Sequence, residues 1–100
     1  MNSRRLRIHP FAEFDMKHAK DWYNTKGDNL GNELMIEVEK TISQLLYNPN
    51  QFPDIGQSIR KAVVKRFPYS IYFKIGLNTV DLYAVFHNSR NPLIWKKRIK

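Results

Sequence analysis

Residues 69–87 read YSIYFKIGLNTVDLYAVFH, and the predicted fold class depends most on this segment. Polar and apolar residues alternate through its first seven and last nine positions, which is the period of a β-strand. Between them, Gly76-Leu77-Asn78 has the composition of a hairpin turn. The stretch therefore predicts two antiparallel strands, at Tyr69–Ile75 and Thr79–His87. One face of the second strand is expected to carry Val80, Leu82, Ala84 and Phe86, and the other face Asp81, Tyr83, Val85 and His87.

Further strands are predicted on the N-terminal side of this hairpin, at about Ser58–Phe67 and at Arg4–His9. Three consecutive strands joined by short turns favour an antiparallel meander. One side of that sheet would face helices, and the other would be an aromatic and basic surface bearing Tyr72 and Lys74. We expect the core not to need this second surface. The helix-facing residues predicted in the 69–75 strand are Ile71, Phe73 and Ile75.

Two amphipathic helices are predicted between the first strand and the other three. The first begins near Pro10, a residue suited to the first helical turn, and continues to about Thr25. The second is capped by Asp28 or Asn29 and stops before Pro49. Both apolar stripes are expected to face the sheet. They are Phe11, Phe14, His18 and Trp22 in the first helix, with Ala12, Ala19 and Tyr23 alongside, and Leu30, Leu34, Val38, Ile42 and Leu45 in the second.

The resulting order is β-α-α-β-β-β, an α+β domain with a mainly antiparallel sheet and two helices packed on one face. A chain of 100 residues has room for one such domain, residues 1–100. The absence of cysteine excludes disulfide scaffolds and thiolate metal sites. No apolar run approaches the length of a membrane span and no secretory signal is present, so we expect a cytoplasmic protein without a membrane partner.

The positive charge is concentrated in one half of the chain. Residues 1–56 hold seven Lys/Arg and eight Asp/Glu, a balance of −1, whereas residues 57–100 hold ten Lys/Arg and one acid, Asp81, a balance of +9. Such segregation predicts a polyanionic or acidic partner for the second half.

The second half also contains an ordered set of motifs. Arg66-Phe67-Pro68-Tyr69 opens one predicted strand, and the last strand ends in His87-Asn88-Ser89-Arg90-Asn91-Pro92, followed by Trp95 and Arg98. This set resembles the RelE/ParE toxin superfamily, whose members carry an arginine, then Phe-Pro-Tyr, then a hydrophobic strand ending in His-x-x-Arg-x-Pro and a tryptophan. The likeness covers about residues 4–98. In the first half of the chain, the residues that resemble the family are Pro10, Ala12, Glu13, Asp15, Trp22, Tyr23, Asn48 and Pro49.

The resemblance implies the toxin of a bacterial type II toxin–antitoxin pair, a growth inhibitor that a co-expressed antitoxin wraps and neutralises. From the charge of this chain we expect that antitoxin to be acidic. Two targets occur in the superfamily. RelE-like members cleave messenger RNA in the ribosome, and ParE-like members bind DNA gyrase and block it without RNA cleavage.

Metal-independent RNA cleavage would need a base for the 2′-OH, an acid for the departing 5′-oxygen, and cations at the phosphate. His87 is the candidate acid or base because histidine changes charge near neutral pH. Arg66 and Arg90 are the candidate phosphate contacts. The alternative roles for Arg66 are structural: it would brace the sheet or form an ion pair. Candidates for binding nucleic acid or a protein partner are Lys61, Lys65, Tyr83, Lys96, Lys97 and Arg98.

The residues that follow the last strand differ between the two branches of the superfamily. RNA-cleaving members tend to carry a catalytic tyrosine, or a histidine–tyrosine pair, after the last strand. Here Asn88-Ser89 follows His87, and the later aromatic residue, Trp95, cannot transfer a proton. The sequence therefore favours a non-catalytic, gyrase-directed toxin. The alternatives are a ribosome-dependent endoribonuclease and a non-toxic basic module that binds nucleic acid. No cofactor is expected, and the spacing of the three histidines predicts no metal site.

Overall fold

The computed structural model describes residues 4–90, which form an α+β domain. Within these residues, no helix is both long and apolar enough to cross a membrane. The order predicted from the sequence is confirmed, with one added 3₁₀ turn at Pro49–Gln51. The elements are β1 (Arg5–Ile8), α1 (Pro10–Asn24), α2 (Leu30–Tyr47), β2 (Ile59–Val63), β3 (Tyr69–Ile75) and β4 (Thr79–His87).

The four strands form one sheet in the order β1-β4-β3-β2. The β2–β3 and β3–β4 pairs are antiparallel, and β1 runs parallel to β4, so the sheet is mainly antiparallel as predicted. The β3–β4 turn closes with a 2.9 Å hydrogen bond from the Gly76 N–H to the Thr79 carbonyl. Asn78 adopts a positive φ of 63° there, a conformation that asparagine tolerates better than most residues.

Both helices cover one face of the sheet. The core between them is formed by aliphatic residues of α2, such as Leu34 and Val38, and by sheet residues such as Phe73 and Leu82. The second-helix stripe predicted from the sequence is confirmed at its centre, since Leu34, Val38 and Leu45 are at most 1% exposed.

Helix α1 faces the sheet with a different side from the one predicted. Phe11, Phe14 and Trp22 are 48%, 65% and 50% exposed, so the prediction that they face the core is wrong. The buried positions are Ala12, Asp15 and Ala19. The physical reason is distance: alanine side chains let the helix backbone approach β4 closely, and the bulky aromatic residues are left on the flank.

The connection between the helices depends on Asn24 and Gly31. The Asn24 Oδ1 accepts a 2.8 Å hydrogen bond from the Gly31 N–H in the first turn of α2. Of the two expected caps, Asp28 and Asn29, the structure has Asn29 at the cap position, with a positive φ of 61° and no side-chain cap bond. A Cβ at Gly31 would overlap the carbonyl oxygen of Lys20. Glycine is therefore needed where the two helices come closest.

A β-bulge in β4 changes which side chains share a face. Tyr72 pairs with Ala84, but Phe73 pairs with Leu82, so Tyr83 is an extra residue. Val80, Leu82 and Val85 belong to the helix-side core, whereas Ala84 and Phe86 belong to a second cluster. The strict alternation predicted for 79–87 is therefore wrong beyond Leu82, because one inserted residue reverses the phase.

The second sheet face is also more buried than predicted. Ile59, Tyr72, Ala84 and Phe86 form a second apolar cluster, and Tyr72 is only 2% exposed. The prediction that this face is not needed for the core is wrong. Strand β2 is also shorter than the predicted Ser58–Phe67, because the chain turns away at Arg66, which has a φ of 71°.

Candidate functional site

A cleft lies between α1 and the C-terminal end of β4. Phe14 and His18 line it from α1, Tyr69 from the start of β3, and His87 and Arg90 from the end of β4 and the turn that follows. Its volume is about 240 Å³. Small-molecule and cofactor sites usually occupy roughly 300–1,000 Å³. The cleft is therefore smaller than a typical site for a small molecule or cofactor.

The His87 ring is oriented by the turn after β4. Its Nδ1 accepts a 3.0 Å hydrogen bond from the Ser89 N–H, and the Ser89 Oγ lies 2.8 Å from the same nitrogen. In the neutral ring the proton is consequently on Nε2. Tyr69 packs edge-on against the imidazole, with 5.3 Å between ring centroids. The ring is thus held on two sides.

The turn itself is fixed to the sheet through Asn88. Its N–H donates to the Pro68 carbonyl at 2.7 Å, and its Oδ1 accepts from the Ser70 hydroxyl at 2.6 Å. The Arg90 N–H closes the turn by donating to the His87 carbonyl at 2.9 Å. The Arg90 guanidinium lies 4.5 Å from the centre of the Phe86 ring. Phe86 belongs to the cluster on the sheet face away from the helices, so the guanidinium lies over that face although Arg90 also lines the cleft.

Asp15 positions the side of the cleft that α1 forms. This residue is 6% exposed, and its Oδ2 accepts a 3.0 Å hydrogen bond from the Val85 N–H of β4. The bond attaches α1 to the sheet beyond the point where β1 ends. One turn along the helix, the His18 ring stacks on Phe14 with 5.6 Å between centroids.

Tyr69 is the phenol among the residues that line the cleft. Burial raises the pKa of its phenol, and the neighbouring Tyr23 raises it further. The phenol therefore stays protonated at neutral pH and is available as a hydrogen-bond donor.

Arg66 lies outside this cleft, although the sequence grouped it with His87 and Arg90. Its guanidinium contacts two carboxylates of α2, Glu33 at 2.9 Å and Glu37 at 3.6 Å. The hydrogen bond that the guanidinium donates to the Glu33 carboxylate raises the pKa of Arg66. Arg66 and Lys65 line a separate pocket against α2. The structure thus brings His87 and Arg90 together and places Arg66 in an ion pair elsewhere.

The other predicted binding residues are dispersed. Lys61 pairs with Tyr72 across β2 and β3, on the sheet face away from the helices. Tyr83 packs against the second cluster, with its ring 5.7 Å from that of His9. The prediction that Tyr83 shares a face with His87 is wrong, because the bulge separates them. Trp95, Lys96, Lys97 and Arg98 lie outside the described residues.

Sequence reasoning missed His18 and Tyr69. The available signals were the Phe14–His18 spacing of one helical turn and the position of Tyr69 opposite His87 in a hairpin. Among residues 4–90, no cluster of three or more His, Asp or Glu side chains is arranged to hold a metal ion. The cleft is thus lined by two histidines, a tyrosine and an arginine, which are residue types that bind carboxylates and phosphates.

Comparison with known proteins identifies the family. No protein-family model matches the chain. Over 94 residues the chain is 30% identical to proteins named Toxin ParE2 from two strains of Mycobacterium tuberculosis, covering 90% of this chain and 87% of each relative. The chain belongs to the ParE family of toxins.

A solved structure agrees on the fold. A chain of the chromosomal ParDE toxin–antitoxin system from P. aeruginosa is similar with a TM-score of 0.75 and 17% identity, covering 85% of this chain and 96% of that one. The recognition made from the Phe-Pro-Tyr and His-x-x-Arg motifs is confirmed, as is a ParE-like type II toxin. Membership in the ParE family excludes the alternative of a non-toxic basic module that binds nucleic acid.

Proposed function

We propose that this ParE-family toxin inhibits growth by binding DNA gyrase in the cytosol, without cleaving RNA, and that an acidic antitoxin neutralises it. The family relationship supports the choice of target, because ParE-like members of the superfamily act on gyrase. Such an activity requires surface shape and charge and needs no acid–base pair.

The position of Arg66 is the structural observation that best supports a toxin without RNA-cleaving activity. A nuclease would use this guanidinium to stabilise charge on the phosphate. Here Glu33 and Glu37 already neutralise it, outside the cleft that holds His87. One of the three residues proposed for catalysis therefore serves to join the β2–β3 loop to α2.

The charge distribution supports an acidic antitoxin. Lys61 and Lys65 belong to the half of the chain that carries a balance of +9, and no salt bridge to either is formed within the described residues. A negatively charged partner would be steered toward this half, with an association rate that falls as salt is added.

A ribosome-dependent endoribonuclease is the second candidate, and one observation favours it. His18 and His87 line the same cleft beside Arg90, although they are far apart in the sequence. Two imidazoles facing one cleft are able to act as the base and the acid of a phosphodiester cleavage, with the guanidinium at the phosphate.

The two functions are separated by purified wild-type toxin and a His18→Gln/His87→Gln variant. We expect the wild type to inhibit gyrase supercoiling and to leave ribosome-bound messenger RNA intact, and the variant to remain toxic. Ribosome-dependent cleavage by the wild type that falls about 10²–10⁴-fold in the variant, with unchanged folding, would establish the nuclease instead.

A further inference from the structure

Charge in the described residues is divided between the helical layer and the rest of the domain. Residues 10–47, which contain both helices, hold seven Asp/Glu and four Lys/Arg, a balance of −3. Residues 4–9 and 48–90, which contain the sheet, hold nine Lys/Arg and two Asp/Glu, a balance of +7. Since both helices cover one face of the sheet, the positive potential is expected to be strongest at the other face.

The strand register places long cationic side chains on the sheet face away from the helices. Arg7 of β1 and Lys74 of β3 both pair with Asp81 of β4 on this face, and Lys61 of β2 pairs with Tyr72 of the second cluster. The cationic face, as it is called below, consists of Arg5, Arg7, Lys61, Lys74 and Arg90.

Most of these cations have no carboxylate partner. Asp81 is the acidic residue on the four strands, and its Oδ1 lies 3.7 Å from the Arg7 Nε. Within residues 4–90, no salt bridge joins Arg5, Lys61, Lys74 or Arg90 to a carboxylate. Cations that a sheet holds at fixed spacings without counter-charges favour a partner with many negative charges.

The large apolar side chains of this face are not available to a partner. Ile59, Tyr72 and Phe86 are at most 2% exposed, and Tyr83 is half-buried against them, although Val63 is exposed at the sheet edge. Protein interfaces depend on aromatic anchors, and single-stranded nucleic acids are bound by stacking their bases on aromatic rings. Cations without exposed aromatic rings are better matched to the phosphates of double-stranded DNA.

We propose that the cationic face binds the phosphate backbone of double-stranded DNA, so that the toxin contacts the DNA on which gyrase acts. Neighbouring strands are about 4.8 Å apart, so four strands present their cations across roughly 14 Å. Duplex DNA carries about one charge per 1.7 Å of its axis, which gives roughly eight phosphates in that length. This inference rests on the proposed function, because gyrase is the enzyme that brings DNA to the toxin.

The test measures binding of the full-length toxin to a short fluorescent DNA duplex by anisotropy, at several salt concentrations. Arg5→Gln/Lys61→Gln/Lys74→Gln removes three charges of the cationic face. Lys17→Gln/Lys20→Gln/Lys40→Gln removes three charges of the helices and is the matched control. At about 0.15 M salt we expect the face variant to bind roughly 100-fold more weakly, and the control within about threefold of wild type.

The salt dependence gives a second measurement. In the face variant, the slope of log affinity against log salt concentration should become shallower by about 3, one for each lost phosphate contact. Circular dichroism checks that the variants are folded. If the triple variant does not fold, Arg5→Gln alone, at an exposed position, should make the slope shallower by about 1.

Equal affinities and slopes for the face variant and its control would overturn the DNA-binding face. Tighter binding of the same residues to single-stranded RNA than to the duplex would assign the face to RNA instead. A gyrase supercoiling assay tests the proposed function separately. Wild type that binds DNA through this face without inhibiting gyrase would overturn the target and leave the DNA-binding face intact. A face variant that no longer binds DNA but inhibits gyrase fully would show that inhibition does not use the DNA contact.

Discussion

Helices α1 and α2 both repeat apolar residues at helical spacing, yet they bury different kinds of side chain. In α2 the repeated residues are aliphatic, and Leu34 and Val38 are 1% exposed. In α1 the repeated residues are aromatic and Phe14 is 65% exposed, while Ala12 is fully buried. Periodicity therefore identifies an apolar helix face without deciding whether the sheet or a partner covers it. Small residues one position away are the sign that the helix approaches the sheet by another face.

Truncation in α2 is expected to give the largest effect. Leu34→Ala would leave a cavity between α2 and the sheet, and we expect a loss of about 2–5 kcal/mol in the free energy of unfolding, measured by urea denaturation. Ile36→Ala, at an exposed position of the same helix, should change it by less than about 0.5 kcal/mol. Equal losses of stability in the two variants would show that Leu34 is not on the side of α2 that faces the core.

Gly31 tests the contact between the two helices. Gly31→Ala places a Cβ against the Lys20 carbonyl and within 2.6 Å of the Asn24 Oδ1, so one backbone has to move. We expect a loss of about 1–3 kcal/mol in thermal or urea unfolding. Gly27→Ala is the control, because its Cβ would meet the Leu30 side chain at an ordinary 3.6 Å. A neutral Gly31→Ala variant would mean that the helices are farther apart.

The sequence predicted element order, sheet type and the α2 core because each follows from a local pattern. The bulge in β4 leaves no such pattern. Tyr83-Ala84-Val85-Phe86 is apolar in both phases of the alternation, so one extra residue shifts the faces without changing the sequence signal. Only pairing with β3 reveals it.

The candidate site was predictable in part for a related reason. His87 and Arg90 are three residues apart at a strand end, and their proximity follows from the chain. The pairing of Arg66 with Glu33 and Glu37 joins a loop to a helix about thirty residues earlier, and the meeting of His18 with His87 depends on how α1 docks. Long-range contacts of this kind have no local spacing to indicate them.

Asp15 tests how α1 is attached to the sheet. Asp15→Ala removes the acceptor for the Val85 N–H and leaves a buried donor without it, which we expect to cost about 1–3 kcal/mol. Asp15→Asn retains an oxygen acceptor and should lose less. Hydrogen exchange at the Val85 amide gives the local measurement: exchange should accelerate in the alanine variant. Unchanged protection there would show that the bond does not hold the helix.

Phe14→Ala is expected to have the smallest effect on stability, and it bears most directly on the difference between the helices. The side chain is 65% exposed and its ring contacts His18 on the same helix, so truncation opens no cavity. Alanine also has the higher helix propensity. We expect the free energy of unfolding to change by less than about 0.5 kcal/mol, far below the loss at Leu34. A loss above about 2 kcal/mol would mean that the α1 aromatic residues belong to the core after all. If the variant is as stable as the wild type, folding places no demand for phenylalanine at this position.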